Sequence, residues 1–467
     1  MKLRIMGGLS LLLMLVGTSS LFAQENVSVW LTNRDKSALF EKQGGSLRFA
    51  KAATQKPAIE VDDKHTFQTI DGFGFALTGG SAQHISKMDA ANRAALMKEL
   101  FRADGKNIGV SYLRVSIGAS DLNDHVYSYD DVPEGQTDPE LKKFSIAEDR
   151  GYVIPVLKEI LAINPKIKIL GSPWSAPTWM KTNGKVKDGK LKTEYYGAYA
   201  QYFVKYIQAM KAAGVRIDAI TVQNEPLNEK NTPSMVMPAE EEGAFIKNNL
   251  GPAFAAAGIK TKIILYDHNC DVPEYAMSIL KDPDTAKYVD GSGFHLYGGK
   301  IEAMSQVHDA FPAKNLYFTE FMAVDKENHP TISIVKPVKG TFIGATRNWS
   351  KNVLLWNLAA NAKYEPHTDN GGCPICQGAV TIEGNEVTRN LAYYAVAHFS
   401  KFVRPGSVAI ASTSSDALAS VAFKTPEGKR VLVVANSENS PQTFAVRYHG
   451  RDFTATLPAE SAATYVW

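Results

Sequence analysis

Cysteine is scarce in this chain of 467 residues, with three in all, so no disulfide framework holds the fold together. A chain of this length buries enough apolar surface to need none. A charge excess is missing too: 51 basic side chains face 48 acidic ones, a formal net of +3. Near-neutrality excludes the broad basic face by which nucleic acids or anionic membranes are held. No apolar run reaches the roughly 20 residues that a membrane-spanning helix requires. Gly72 and Gly74 are not followed by the third glycine of a dinucleotide loop. A phosphate loop, an H-E-x-x-H zinc motif and a G-x-S-x-G serine elbow are likewise absent.

What is present begins with an address. Lys2 and Arg4 precede an apolar stretch carrying Leu9, Leu11, Leu12, Leu13, Leu15 and Val16, and small residues lead to Ala23. Residues 1–23 read as a secretory signal peptide, which predicts a secreted or periplasmic protein starting near Gln24 with no integral membrane segment.

From 24 to about 65 apolar and polar positions alternate (Val27, Val29, Leu31, then Ile59, Val61), as in half-buried strands. Beyond that point, short β-branched and aromatic runs alternate with segments of helical period. The runs are 73–76, 111–116, 167–172, 219–223, 262–266, 291–295, 316–319 and 353–357. The helical segments include 90–101, 195–213 and 239–257; in the second, Tyr199, Phe203, Tyr206, Ile207 and Met210 share one face. Eight alternations predict an α/β fold, a (β/α)8 barrel spanning 66–402. The remainder, 403–467, loses its helices and reads as a β-sandwich, to which the strands of 24–65 contribute.

Glycosidic bonds are commonly cut by two carboxylates, and in a barrel these stand at the C-terminal ends of strands. Glu225 follows the fourth run in Thr-Val-Gln-Asn-Glu-Pro, and Glu320 follows the seventh in Tyr-Phe-Thr-Glu-Phe. On the same edge fall Asp121, Trp174, Asp267, His268, His295, Tyr297 and Trp356. Aromatic faces beside hydrogen-bonding groups suit a sugar. Arg114 lies inside the second strand, where a buried guanidinium needs an anionic partner; it is expected to hold the nucleophile ionised.

The runs Asp71–Thr78 (DGFGFALT), Leu113–Asp121 (LRVSIGASD), Gly171–Asn183 (GSPWSAPTWMKTN), Gln223–Pro226 (QNEP), Thr319–Glu320 and His398–Phe402 (HFSKF) resemble glycoside hydrolase family 30. That is the family of glucosylceramidases and β-1,6-glucanases. The resemblance implies a retaining barrel with an attached sandwich, Glu225 as acid/base and Glu320 as nucleophile. It also implies that Asp121, Trp174, Asn224, Tyr297 and Trp356 shape the first sugar subsite; Arg114 and His295 are placed with them as substrate-binding residues.

The chain departs from the glucosylceramidase pattern at 367–378 (HTDNGGCPICQG) and at Thr78-Gly79. Cys373 and Cys376 read as a small disulfide loop in an exported chain, and the surrounding segment as compact and polar. Tyr127 and Tyr129, in the long loop after the second strand, are expected to stack on a further sugar ring. The resulting expectation is an endo-β-1,6-glucanase acting on a β-glucan, with glucosylceramidase as the alternative and a silent glycan-binding protein as the rival class. No cofactor, metal or nucleic acid is expected to take part.

Overall fold

The computed structural model describes residues 26–52, 57–325 and 329–467; the expected signal segment 1–23 lies outside them. Eight parallel strands close into a barrel in chain order: β1 (Gly72–Ala76), β2 (Tyr112–Ser116), β3 (Lys168–Ser172), β4 (Ala219–Thr221), β5 (Lys262–Cys270), β6 (Val289–Gly299), β7 (Asn315–Glu320) and β8 (Ser350–Asn357). Close approach of neighbours is built into the sequence: a Cβ on Gly74 of β1 would meet the Tyr112 carbonyl oxygen at 1.9 Å. One buried cluster below the site is formed by Tyr112, Leu170, Ala219, Ile264, Tyr317 and Leu354, contributed by six different barrel strands. The barrel is therefore a packed core with a site at its C-terminal mouth, not a pore.

Two elements differ from the periodicity. β5 runs past Tyr266 because Tyr266 (φ 74°) and Asp267 (φ 53°) adopt left-handed conformations, a bulge that shifts the register against β6. The polar run after Tyr266 gives no strand signal, so pattern reading stops short of it. The single helix expected over 239–257 is a helix (Ala239–Phe245), a π-helical turn (Ile246–Leu250) and a second helix (Gly251–Ala256). Pro252 has no N–H to donate to the preceding turn, and the wider turn accommodates it.

The second layer is a sheet in which the first described strand meets the last. Asn26–Thr32 pairs antiparallel with Ala462–Val466, and Ala58–Thr69 lies between Val408–Ser412 and Gln442–Tyr448. Its core joins Val27, Phe49, Ile59 and Val61 to Leu432, Phe444 and Tyr465. The strand Ala58–Thr69 ends just before β1, so the sheet leads directly into the barrel.

His398, on the last barrel helix (Leu391–Ser400), stitches the two layers together. Its Nδ1 lies 2.9 Å from Thr464 Oγ1 and its Nε2 2.9 Å from Thr32 Oγ1, one threonine on each of two paired sandwich strands. The Thr464 hydroxyl donates to the His398 carbonyl and the Thr32 oxygen accepts the Phe40 N–H. Nδ1 therefore carries the hydrogen and Nε2 accepts one from Thr32, so every partner is satisfied by a neutral ring. Burial pushes this imidazole down to about 3. A folded-state value below the free value means that the unfolded chain takes up the proton first as pH falls. Stability contributed above about pH 6.5 is thus lost on acidification toward 3. His398→Ala leaves two buried hydroxyls short of a partner and is expected to cost about 2–3 kcal/mol at pH 7, measured by denaturant unfolding. The variant should also lose less of its remaining stability than the parent between pH 6.5 and 4; parallel curves would contradict the assignment.

Candidate active site

β4 and β7 deliver the two expected carboxylates to the same mouth. Glu225 sits just past β4 with φ 46°, its N–H donating to the Asp267 carbonyl at 3.0 Å. Glu320 ends β7. One oxygen of Glu225, one of Glu320 and a ring nitrogen of His295 all lie within 4.8 Å of one another.

Beneath them Arg114 projects from β2 with no solvent exposure. It donates to Glu320 Oε2 at 2.5 Å, to Asp267 Oδ2 at 2.6 Å, to Asn224 Oδ1 at 2.7 Å and to Ser172 Oγ at 3.1 Å. Asp267 is surrounded in turn: Thr221 and Thr319 hydroxyls donate to it at 2.8 and 2.6 Å, and His295 Nε2 lies 3.1 Å away. The other nitrogen of His295 is 3.2 Å from Glu225 Oε1. Glu225 Oε2 accepts from Asn228 at 2.6 Å and Asn231 at 3.3 Å, and Glu320 Oε1 accepts from the Tyr297 hydroxyl at 3.0 Å.

Charge follows from this wiring. Burial opposes ionisation of Glu225, but His295 and Asn228 outweigh it and hold the carboxyl at about 2. Burial lowers the basicity of His295, and the carboxylates of Glu320, Asp267 and Glu225 more than restore it, to about 9. Burial raises Glu320, with Glu225 and Asp267 adding repulsion that His295 and Arg114 partly offset. Asp267 is buried too, yet Arg114 and His295 hold it far below the usual carboxylate range. Asp121 is raised well above that range by burial and by Glu320 and Glu225.

Of the residues picked out from sequence, Asp121, Glu225, Tyr297, Glu320 and Trp356 line one cleft of about 660 Å³. Trp174 stacks on Trp356 at 5.3 Å, and the Arg114 guanidinium lies 4.8 Å from the Trp174 ring centre. Arg114 pairs with Glu320 as expected, and neither it nor His295, both expected to bind substrate, is among the residues that line the cleft. Both are fully buried and bonded to carboxylates. Asn224 likewise spends its side-chain oxygen on Arg114.

The loop tyrosines depart from the expected stacking on a sugar ring. Tyr129 is 2 % exposed and both hydroxyls bond the buried Asp149, while Tyr127 lines a separate cavity of about 260 Å³ with Ser175, Pro177 and Val186. Cys373 and Cys376 form a disulfide that packs against Trp174 and Trp356 and lines the cleft; between them Ile375 is 59 % exposed, so the turn is not wholly polar. The expectation did not anticipate the carboxamides of Asn228 and Asn231, although their place three and six residues after Glu225 brings them back over it. Glu225, His295 and Glu320 offer three ligand atoms that suit a cation, but Arg114 and the basic His295 already supply positive charge there.

The glycosyl hydrolase family 30 TIM-barrel domain matches residues 70–403 and the family's beta sandwich domain residues 406–465. An endo-1,6-beta-D-glucanase of Aspergillus fumigatus is 36% identical over 436 residues, covering 87% of each chain. The lysosomal acid glucosylceramidase of Mus musculus is 29% identical over 437 residues, 88% of this chain and 83% of that one. A solved endo-beta1,6-glucanase structure superposes with a TM-score of 0.86 at 33% identity, covering 95% of this chain and 99% of that chain. Matched through barrel and sandwich alike, the chain belongs to glycosyl hydrolase family 30 and is a glycoside hydrolase.

Proposed function

We propose that this protein is an exported, retaining endo-β-1,6-glucanase in which Glu320 is the nucleophile and Glu225 the acid/base. The observation that carries the retaining reading is that one oxygen of Glu225 and one of Glu320 approach to within 4.8 Å, which brings the two carboxyl groups close together. Retaining enzymes hold them about 5–5.5 Å apart, whereas inverting ones leave about 6.5–9.5 Å for a water.

Glu320 attacks the anomeric carbon. Arg114 and Tyr297 fix one oxygen each, and a carboxylate whose charge is poorly solvated is a stronger base and nucleophile. The leaving oxygen takes a proton from Glu225. His295, whose Nδ1 lies 3.2 Å from Glu225 Oε1, is within reach to share that proton with it. Water then enters from the vacated side, Glu225 removes its proton, and the sugar leaves Glu320 with a second inversion. Asp121, whose Oδ1 has no hydrogen-bond partner among the described residues, lines the cleft and would bond a sugar hydroxyl there, with Trp356 carrying a sugar face.

The linkage rests on the closer identity to endo-1,6-glucanases, 36% against 29% for a glucosylceramidase. Export rests on residues 1–23, and the mature chain should begin near Gln24 on N-terminal sequencing. Leu227, 42 % exposed, and Ile375 give the leaving-group rim some apolar surface, so a lipid glucoside belongs in the test beside the glucans.

On pustulan, laminarin, cellulose oligosaccharides and glucosylceramide, β-1,6-linked oligosaccharides from pustulan should dominate; preferential cleavage of glucosylceramide would overturn the substrate reading. Glu225→Ala should lose about 10²–10⁴-fold in kcat on poor leaving groups, while an aryl glucoside plus azide yields the β-glycosyl azide. An α-azide, or no azide product, would assign the roles differently.

A further inference from the structure

Glu242 lies outside the cleft, on the short helix Ala239–Phe245, and has no solvent exposure. Its Oε1 accepts the backbone N–H of Tyr266 at 3.1 Å, and its Oε2 lies 2.6 Å from the hydroxyl of Tyr275 on the helix Pro273–Leu280. That hydroxyl is also 2.5 Å from the Met237 carbonyl oxygen. A phenol has one hydrogen and cannot donate to both oxygens. A carbonyl cannot donate at all, so the Tyr275 hydrogen goes to Met237 and the contact with Glu242 needs a hydrogen from the acid. Every group is satisfied if Glu242 is a neutral carboxylic acid: it donates to Tyr275 through Oε2 and accepts from Tyr266 through Oε1.

What Glu242 holds is the bulge of β5. Tyr266 and Asp267 are consecutive non-glycine residues in left-handed conformations, a cost that surrounding contacts must offset. From this bulge the Asp267 carboxylate reaches Arg114 and His295, and the Asp267 carbonyl accepts the N–H of Glu225. We propose that Glu242 is a protonated positioning residue, a neutral acid that pins the Tyr266–Asp267 bulge and so sets the orientation of Arg114, His295 and Glu225. Neutrality matters because Asp267, Glu225 and Glu320 already place three acidic groups at this end of the barrel.

The charges around Glu242 agree with this state. Tyr275 faces it from the next helix, and Tyr266 and Asp267 from β5. Tyr196 and Tyr199, on the helix Tyr196–Ala212, contact Phe245 of the same short helix. Glu241 beside it pairs with Lys190, and Lys247 in the adjoining π-helical turn pairs with Asp282. Among the described residues no cation pairs with Glu242. Burial, with Asp267 adding repulsion, raises its carboxyl to about 7 despite the Tyr275 and Tyr266 contacts.

The positioning role rests on the reading of Glu225 and Glu320 as the reacting pair; the protonation state does not. Glu242→Gln copies the neutral acid, its amide N–H donating to Tyr275 and its oxygen accepting from Tyr266. It should keep kcat and KM within about twofold. Glu242→Ala releases the bulge and should lower kcat about 100-fold at a nearly unchanged KM, with the fold checked by circular dichroism. Infrared difference spectra of the parent minus Glu242→Gln at pH 6 should show one protonated carboxyl band that disappears as the pH is raised through 7–8. The proposal is overturned if Gln is as damaging as Ala, if Ala retains full kcat, or if the difference spectrum carries a carboxylate band instead. Should Ala fail to fold, Gln and the infrared band decide alone. Were the roles of Glu225 and Glu320 misassigned, their own variants would show it while the band persisted.

Discussion

The structure turns on a guanidinium with no solvent exposure. Arg114 is fully buried between Asp267 and Glu320, and a charge so placed is tolerable only if its partners are fixed and its hydrogens are used. Residues from different strands supply this: Glu320, Asp267, Ser172 and Asn224 take four of its five N–H donors, and Thr221 and Thr319 complete Asp267. Removing one partner would leave an uncompensated charge inside the barrel, so the arrangement stands or falls as a unit. The layer of Tyr112, Leu170, Ile264, Tyr317 and Leu354 below it keeps out water that would otherwise screen these charges.

The charge balance at the mouth suits the chemistry proposed for it. Arg114 and His295 carry two positive charges against the three carboxylates of Asp267, Glu225 and Glu320, while burial raises Asp121 well above the usual carboxylate range and Glu242 to about 7. One negative charge is left over, held by preorganised donors where a sugar acquires positive character at its anomeric carbon.

Much of this was legible in the chain. Alternating strand and helix periods marked all eight barrel strands, and Glu225 and Glu320 declared themselves by standing at strand ends with aromatics on the same edge. The rest depends on direction, which a one-dimensional pattern lacks. Arg114 betrayed its anionic partner by standing inside a strand, but pattern cannot say that the His295 ring turns between Asp267 and Glu225. Tyr129 looked like a stacking residue because a polar loop surrounds it, whereas the loop folds over it and Asp149 takes its hydroxyl. The β5 bulge escaped notice because left-handed Tyr266 and Asp267 carry none of the glycine signal that usually marks such a conformation. Glu242, on a helix with two other glutamates, looks in sequence like a solvated surface charge.

The central claim is that Glu320, set between Arg114 and Tyr297, becomes covalently bonded to the sugar. Incubation with a 2-deoxy-2-fluoro-β-glucosyl fluoride, followed by proteolysis and mass spectrometry, tests this most directly, since the fluorine slows hydrolysis of the intermediate more than its formation. The account predicts one glycosyl adduct on the peptide containing Glu320, formed in Glu225→Ala as well and absent in Glu320→Gln. An adduct on Glu225 or Asp121, or turnover to product with inverted configuration and no adduct, would contradict it.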